Sequence, residues 1–228
     1  MNTTILVSCV LLSTSLAVSA TASDIPADFR DVGQLIPDVQ IKMAYLGSDN
    51  FVGGPVDGYQ ANKCYLQQNA AQALIKVQQA ARAQGYSLWI FDCYRPQRAV
   101  SHFMRWAADL ADTSTKATYY PNLGKDQLVG EYIAEKSGHS RGSTIDLTLA
   151  KQDEQGNWRP IDMGSPFDMF DPISNVGNPA VSAAQTANRQ LLESLMRQGG
   201  FTVYSMEWWH FTHQPPAYTD TYFDFLVR

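Results

Sequence analysis

Two short segments, far apart in the sequence, constrain most strongly what this chain can fold into. Residues 137–146 read Ser-Gly-His-Ser-Arg-Gly-Ser-Thr-Ile-Asp, and residues 207–210 read Glu-Trp-Trp-His. A catalytic zinc ion usually takes three protein ligands from His, Asp or Glu and keeps a fourth position for water. The two segments supply such a ligand set: His139, Asp146 and His210. The fold must therefore bring both segments to one place, with the Glu207 carboxylate beside them for proton transfer.

Taken alone, neither segment establishes a metal site. A lone His139–Asp146 pair is more often a structural hydrogen bond, and an aromatic run such as residues 207–211 is usually a core strand. Gly138 and Gly142, however, allow the backbone around His139 to approach a ligand closely. Asp146 lies on an otherwise apolar strand, where an isolated charge is costly unless it is paired or bound to a metal. The two segments together therefore predict a zinc hydrolase.

The spacing of Glu207 and His210 leads to a further prediction. Residues three apart in a regular strand point to opposite faces of the sheet. For both side chains to serve one metal, we expect Glu207 to lie in a turn just before the strand that carries His210. Trp208 and Trp209 would then form walls of the site and limit the access of water.

A third segment, residues 92–96 with the sequence Asp-Cys-Tyr-Arg-Pro, follows a run that we predict to be a buried strand. Arg95 is a planar donor with a permanent charge. In a cleft at the strand end, it would stabilise the negative charge that develops on a carbonyl oxygen during amide hydrolysis. By spacing alone, an ion pair with Asp92 or another acid is the simpler interpretation, so both alternatives stay open.

The order of the secondary-structure patterns favours an α+β fold. Apolar spacing and end signals predict helices and strands that do not alternate regularly, so the sheet is not the parallel sheet of a doubly wound fold. We therefore predict a single compact domain with a central, mostly antiparallel sheet flanked by helices. The predicted helices cover about residues 69–84, 96–110 and 182–198, the strands cover 86–91, 143–149, 201–204 and 208–212, and a long polar loop covers 151–180.

Residues 1–22 have the features of a secretory signal peptide. They contain no charged side chain, include an apolar stretch broken only by Ser and Thr, and end in small-x-small patterns at Ala20 and Ala22. The stretch is too short and too weakly apolar for a stable membrane span. We therefore predict cleavage near residue 20 or 22, an exported protein that is periplasmic or secreted, and one catalytic domain over residues 23–228.

Charge and cysteine content narrow the class of protein further. The net charge is −5 and no basic run or basic-aromatic patch is present, so nucleic acid is not an expected partner. Beyond the predicted signal, the chain contains Cys64 and Cys93. In an oxidising compartment this even number is compatible with a disulfide. Two separate buried thiols are an equal alternative, because the sequence does not give the distance between the residues.

Together these segments resemble the D-alanyl-D-alanine dipeptidases, zinc enzymes typified by the vancomycin-resistance dipeptidase. That family is related to the zinc D,D-carboxypeptidases and to the hedgehog-like domain, which implies a compact α+β domain with zinc in a narrow cleft. The resemblance extends from about residue 30 to residue 212. The matching stretches, in conserved order, are residues 45–51, 55–59, 92–99, 137–149, 162–168, 199–201 and 207–211.

The resemblance implies a role for each candidate residue of the site. His139, Asp146 and His210 match the ligands of one zinc ion per chain. Glu207 matches the general base, which later protonates the leaving amine, and Arg95 matches the residue that stabilises the tetrahedral intermediate.

The resemblance also implies the substrate, which is the free dipeptide D-Ala-D-Ala, hydrolysed to D-alanine. Four residues match the positions that line the family's small pocket: Tyr45, Tyr59, Ser137 and Asp168. If Cys93 is bonded to Cys64, the disulfide would brace the strand that leads to Arg95. The oligomeric state stays open.

Two other functions are compatible with the same motifs. A zinc D,D-carboxypeptidase that trims peptidoglycan stem peptides would need a more open cleft. A non-catalytic, zinc-stabilised domain that binds muropeptides would have no need of Glu207 and would usually have four protein ligands. An exported dipeptidase could not remove D-Ala-D-Ala in the cytoplasm, so salvage of cell-wall fragments or dipeptide scavenging is the expected role.

Overall fold

The computed structural model describes residues 24–228, so the predicted signal peptide lies outside the described residues. A six-stranded sheet forms the centre of the molecule, with strands in the order β2-β4-β5-β8-β7 and β6 paired to β5. Only the β2–β4 pairing is parallel among the pairings of this sheet. These strands are β2 (Gln40–Ile41), β4 (Ser87–Asp92), β5 (Thr144–Gln152), β6 (Trp158–Pro160), β7 (Phe201–Tyr204) and β8 (Glu207–His213). The predicted α+β class with a mostly antiparallel sheet is confirmed.

Three longer helices surround this sheet, as the apolar spacing predicts. They are α2 (Gln68–Arg82), α3 (Gln97–Ala108) and α6 (Ala183–Gln198). The helix α6 begins at a capping box, in which Ser182 and Gln185 satisfy each other's backbone N–H groups. Both α2 and α6 pack on each other and on the sheet, and they bury Leu74, Leu192 and Leu195.

Shorter elements complete the described chain. A second, two-stranded antiparallel sheet pairs β1 (Phe29–Asp31) with β3 (Tyr65–Gln67). The turn signals of the N-terminal region did not predict this pair. The short helices are α1 (Val32–Leu35), α4 (Lys116–Tyr119) and α5 (Lys125–Leu128), and 3₁₀ turns lie at Ala44–Leu46, Gly138–Arg141 and Pro172–Ser174.

The region predicted as one polar loop, residues 151–180, is partly ordered as a strand. Residues 158–160 form β6, which pairs with the end of β5 through a turn at Gly156, where φ is +82°. The prediction of a continuous loop was wrong because this hairpin is short and its outward residues are polar. The signal for it was the turn sequence Asp-Glu-Gln-Gly-Asn at residues 153–157.

The central strand β5 determines where the polar residues of the site lie. Its residues 144–150 are all buried, because β4 and β8 flank it on either side and the layers above and below cover it. In the strand register Asp92 lies opposite Asp146, and Asp146 lies opposite His210. Three polar side chains therefore form a row across three adjacent strands at one end of the sheet.

Among the helices within residues 24–228, none is both long enough and apolar enough to cross a bilayer.

Candidate metal centre and active site

A cavity of about 220 Å³ opens at the end of the sheet where the row of polar side chains lies. Most residues predicted for the site line it: Tyr45, Arg95, Ser137, Asp146, Asp168, Glu207, Trp209 and His210. His139 lies directly behind this wall and is 1% exposed. The fold thus brings together residues that are distant in the sequence, as the motif pattern predicts.

Three donor atoms converge at the wall of the cavity. The Nε2 atom of His139 lies 3.2 Å from Asp146 Oδ2, and the Nδ1 atom of His210 lies 3.1 Å from Asp146 Oδ1. The two imidazole nitrogens lie 3.3 Å apart. Ligand atoms at about 2.0–2.1 Å from a tetrahedral zinc ion are separated from one another by about 3.3 Å. Each imidazole nitrogen therefore lies at the ligand–ligand spacing of a zinc site from the other imidazole nitrogen and from one of the two oxygens of Asp146.

The hydrogen bonds of these residues leave ligand atoms available to bind a cation. The Nδ1–H group of His139 donates to the carbonyl oxygen of Cys93 at 2.7 Å, so the lone pair of Nε2 faces the cluster. Burial lowers the pKa of His139, which favours the neutral imidazole that binds metals. Asp146 Oδ1 is buried without a hydrogen-bond partner, although His210 Nδ1 is close. A buried carboxylate whose two oxygens each lie near one imidazole nitrogen fits a divalent metal ion.

Glu207 reaches the same cavity through an irregularity in the sheet. Val203 pairs with Phe211, but the next residue of β7, Tyr204, pairs with Glu207. Residues 208–210 of β8 therefore have no partner in β7, although His210 still pairs with Asp146 of β5. This bulge interrupts the alternation of side chains along the strand. As a result, Glu207 and His210, three positions later, both line the cavity. The prediction that Glu207 lies in a turn before the strand was wrong, because the register shift occurs inside β8.

The environment of the Glu207 carboxylate suits proton transfer. Its Oε2 atom lies 3.5 Å from His210 Nδ1, and the residue is 7% exposed. Burial, followed by the negative charge of Asp146, raises the pKa of Glu207 well above its usual value, while Arg95 opposes this shift. A carboxyl group with a raised pKa accepts and returns a proton more readily near neutral pH.

The two tryptophans of the same segment lie on different sides of β8. Trp209 is 1% exposed and lines the cavity. Trp208 instead donates its indole N–H to Ser165 Oγ at 2.9 Å, away from the cavity. The prediction that both rings form walls of the site was therefore wrong for Trp208, because neighbouring residues of β8 have opposite orientations.

Arg95 is held in place beside the three proposed metal ligands by hydrogen bonds and ring contacts. Its Nε–H donates to Asp92 Oδ2 at 2.9 Å, and its terminal nitrogen lies 3.4 Å from Asp146 Oδ2. The guanidinium also lies about 5 Å from the ring centroids of Tyr45 and Phe103. The ion pair with Asp92, one of the two alternatives from the sequence, is present, and it holds Arg95 at the cavity.

Asp92 supports the site, and the sequence interpretation missed this role. It is completely buried, and it accepts a hydrogen bond from the Tyr59 hydroxyl at 2.7 Å as well as from Arg95. Tyr59 was expected to line the pocket, but it lies behind the guanidinium as a partner of Asp92. The available signal was the Asp-x-x-Arg spacing at the end of a buried strand.

Tyr45 and Asp168 form a second polar pair in the cavity. The Tyr45 hydroxyl lies 3.1 and 3.0 Å from the two carboxylate oxygens of Asp168, although 123 residues separate the two in sequence. Asp168 is 3% exposed and has a φ of +62°, a left-handed conformation that is uncommon for Asp. Burial, followed by the charge of Asp146, raises the pKa of Asp168 well above its usual value. A cation in the cavity would be stabilised by this carboxylate.

Ser137 begins the turn that carries His139. Its hydroxyl oxygen accepts the N–H of His139 at 3.2 Å, and the turn ends at Gly142, where φ is +83°. A side chain at Gly142 would collide with the ring of Phe29, so the position requires glycine for both conformation and space. The serine thereby fixes the start of the ligand turn at the edge of the cavity.

The rim of the cavity was not predicted from the sequence. Residues 130–134 and Lys136 form part of the cavity lining, and the Tyr204 hydroxyl donates to the carbonyl oxygen of Glu131 at 3.0 Å. The sequence of this region is interrupted by turn residues and has no periodic pattern. The position of this segment depends on a contact with β7, which is distant in the sequence and cannot be predicted from local patterns.

Cys64 and Cys93 are joined by a disulfide, with their Cα atoms 5.3 Å apart. Both residues are fully buried. Of the two alternatives that the sequence leaves open, the structure contains the bonded form.

A model of one protein family matches nearly all of the described chain. The family is described as D-ala-D-ala dipeptidase, and the match covers residues 26–228. The chain belongs to the D-alanyl-D-alanine dipeptidase family. A family member from Enterococcus faecium is 40% identical over 201 residues, which cover 88% of this chain and 98% of the relative. One from Streptomyces coelicolor is 42% identical over 201 residues, with the same coverage.

A solved structure of the LdcB LD-carboxypeptidase is also similar to the structure of this chain. It has a TM-score of 0.41 and 16% sequence identity, and the match covers 82% of this chain and 68% of that chain.

Proposed function

We propose that the protein is a zinc-dependent dipeptidase that hydrolyses free D-Ala-D-Ala to D-alanine. The observation that supports this proposal most strongly is the convergence of His139 Nε2, His210 Nδ1 and the two Asp146 oxygens, with contacts of 3.1 to 3.3 Å, at the wall of a cavity that Glu207 also lines. Within residues 24–228, the group of His, Cys, Asp and Glu that can hold a metal has three members, which leaves a position for water. Membership of the dipeptidase family supports the choice of substrate.

One zinc ion per chain would be held by His139 Nε2, Asp146 and His210 Nδ1. A zinc ion at such a site supplies Lewis acidity, which polarises a carbonyl group and lowers the pKa of water from about 16 to about 7. The mixed imidazole and carboxylate donors favour zinc over magnesium or calcium, which prefer oxygen ligands alone.

Glu207 performs the proton transfers in the proposed reaction. Its carboxylate takes a proton from the attacking water, and the resulting carboxyl group returns that proton to the leaving amine nitrogen. Arg95 donates hydrogen bonds to the former carbonyl oxygen, on which negative charge builds in the tetrahedral intermediate. Because Asp92 already holds Arg95 in place, little reorganisation is needed when that charge develops.

The free ends of a dipeptide require charged or polar partners in the cavity. We assign the substrate ammonium group to Asp168, with the Tyr45 hydroxyl holding that carboxylate in position. Ser137, at the edge of the cavity, contributes a polar contact to the bound dipeptide. Tyr59 acts indirectly through Asp92 and Arg95.

Replacing Asp168 by Asn tests the assignment of the ammonium partner. Loss of a charge-assisted hydrogen bond costs about 1.5–3 kcal/mol, so we expect kcat/KM for free D-Ala-D-Ala to fall about 10- to 100-fold. With N-acetyl-D-Ala-D-Ala, which has no ammonium group, the variant and the wild type should have similar and low rates. Equal losses with both substrates would show that Asp168 does not bind the amine.

A comparison of two substrates tests the proposed activity itself. Release of D-alanine is measured from free D-Ala-D-Ala and from a stem pentapeptide that ends in D-Ala-D-Ala. Because the cavity is small, with a volume of about 220 Å³, we expect turnover of the dipeptide and little or none of the pentapeptide. Turnover of the pentapeptide alone would establish a D,D-carboxypeptidase instead, and turnover of neither would contradict both.

We also propose that the protein is exported and acts on dipeptides outside the cytoplasm. The buried Cys64–Cys93 disulfide supports this proposal, because stable disulfides form in oxidising compartments. The predicted signal peptide at residues 1–22 is consistent with it. Salvage of dipeptides released from cell walls is the role that fits this location.

A further inference from the structure

We propose that the Cys64–Cys93 disulfide is a positioning element of the metal centre, which holds in place the backbone carbonyl that orients His139. The inference rests on the proposed zinc site and extends it to a bond that lies outside the ligand set. It predicts that loss of the disulfide weakens zinc binding itself, beyond any loss of stability.

Cys93 is in direct contact with the proposed ligand His139. The carbonyl oxygen of Cys93 accepts the Nδ1–H of His139 at 2.7 Å, and both residues are at most 1% exposed. This bond sets both the tautomer and the ring orientation of His139. The neighbours of Cys93 are Asp92 and, two residues on, Arg95, so the same short segment holds the guanidinium as well.

The main sheet gives little support to the backbone at Cys93. The ladder between β4 and β5 shifts register between Ile90 and Asp92, and β4 ends at Asp92. Cys93 is therefore the first residue beyond the strand. Its position depends on contacts with another layer of the molecule, and no ladder of the main sheet continues through it.

The segment that contains Cys64 is held by backbone hydrogen bonds to several other parts of the chain. Cys64 directly precedes β3, and its own carbonyl oxygen accepts the N–H of Val32 at 2.8 Å. The strand β3 also contacts the residue after Cys93 and the end of the turn that carries His139. Tyr65 accepts the N–H of Tyr94 at 2.9 Å, and the N–H of Gln67 donates to Gly142, which ends the turn of His139, at 2.7 Å.

These contacts make β3 a common support for His139 and for the carbonyl that orients it. The disulfide is the covalent member of that support, and the remaining contacts are single hydrogen bonds. Loss of a partner that orients a metal-bound histidine typically lowers metal affinity about 10- to 100-fold. A disulfide that acted only by restricting the unfolded chain would change stability and leave the affinity of the folded protein unchanged.

The experiment compares zinc affinity in variants of the full exported chain. The test variant is the double substitution Cys64→Ala and Cys93→Ala, and a second version with Cys93→Val refills the volume of the lost sulfur atoms. The matched control is Leu192→Ala, a fully buried position on α6 that does not line the cavity. Each metal-free protein is titrated with zinc in competition with a chromophoric chelator, at a temperature where circular dichroism shows it folded.

We expect the cysteine variants to bind zinc about 10- to 100-fold more weakly than the wild type. The control should lose thermal stability and keep the wild-type affinity. Wild-type affinity in a folded cysteine variant would overturn the inference and leave the proposed function intact. Absence of zinc binding by the wild type would instead contradict the proposed function.

Discussion

Replacing Glu207 by Gln is expected to lower kcat for D-Ala-D-Ala by about 10²–10⁴-fold, the usual contribution of a positioned proton-transfer group. The amide keeps the size of the side chain but cannot accept the proton of water. Because the three proposed ligands are untouched, the variant should contain as much zinc as the wild type. Steady-state kinetics and metal analysis on the same preparation measure both quantities.

A matched substitution at the rim of the same cavity controls for a change of charge. Glu131 also lines the cavity, but its side chain is exposed and only its backbone carbonyl accepts a hydrogen bond, from Tyr204. Glu131→Gln should therefore retain a rate close to that of the wild type. An unchanged rate in Glu207→Gln would remove Glu207 from the mechanism, whereas loss of zinc from that variant would make it a ligand.

The second large effect is expected from Arg95→Ala, which should lower kcat by about 10²–10³-fold, in the range measured when one donor to a developing oxyanion is removed. The loss should appear in kcat more than in KM, because the guanidinium acts on charge that develops in the transition state. Stopped-flow or steady-state measurement of D-alanine release separates the two constants.

Removing Arg95 also leaves the buried Asp92 with Tyr59 as its remaining hydrogen-bond donor, so folding must be controlled. Arg95→Lys keeps a positive charge near Asp92 and loses the planar pair of donors, and it should still have a strongly reduced kcat. Arg105→Ala, on the exposed side of α3, removes an arginine that is paired with Asp57 at the surface. Its rate should match the wild type, and an equal loss there would show that the effect of Arg95 is not local.

Local patterns in the sequence were sufficient to predict the main elements of the fold. Helical spacing of apolar residues located α6, and apolar alternation located β5, because these signals depend on neighbouring residues alone. The convergence of His139, Asp146 and His210 followed from the types of side chain in the two motifs and from the family resemblance.

Features that depend on pairing between distant segments could not be predicted in this way. The register shift in β8, which turns Glu207 toward the cavity, is defined by β7 and not by the sequence of β8. The contact of Tyr45 with Asp168 and the contact of Tyr59 with Asp92 likewise join parts of the chain that no periodic signal connects. The same is true of the β1–β3 sheet, whose strands are short and lie in a region rich in turn residues.

The central claim is that His139, Asp146 and His210 hold one zinc ion with a position left open for water. Metal analysis of the purified chain tests it most directly, with His210→Ala analysed in parallel. We expect one zinc per chain in the wild type, lost together with activity on chelation and restored with it on addition of zinc, and a much lower zinc content in the variant. A wild-type protein that hydrolyses D-Ala-D-Ala without a bound metal, or a variant that keeps its full zinc content, would contradict the account.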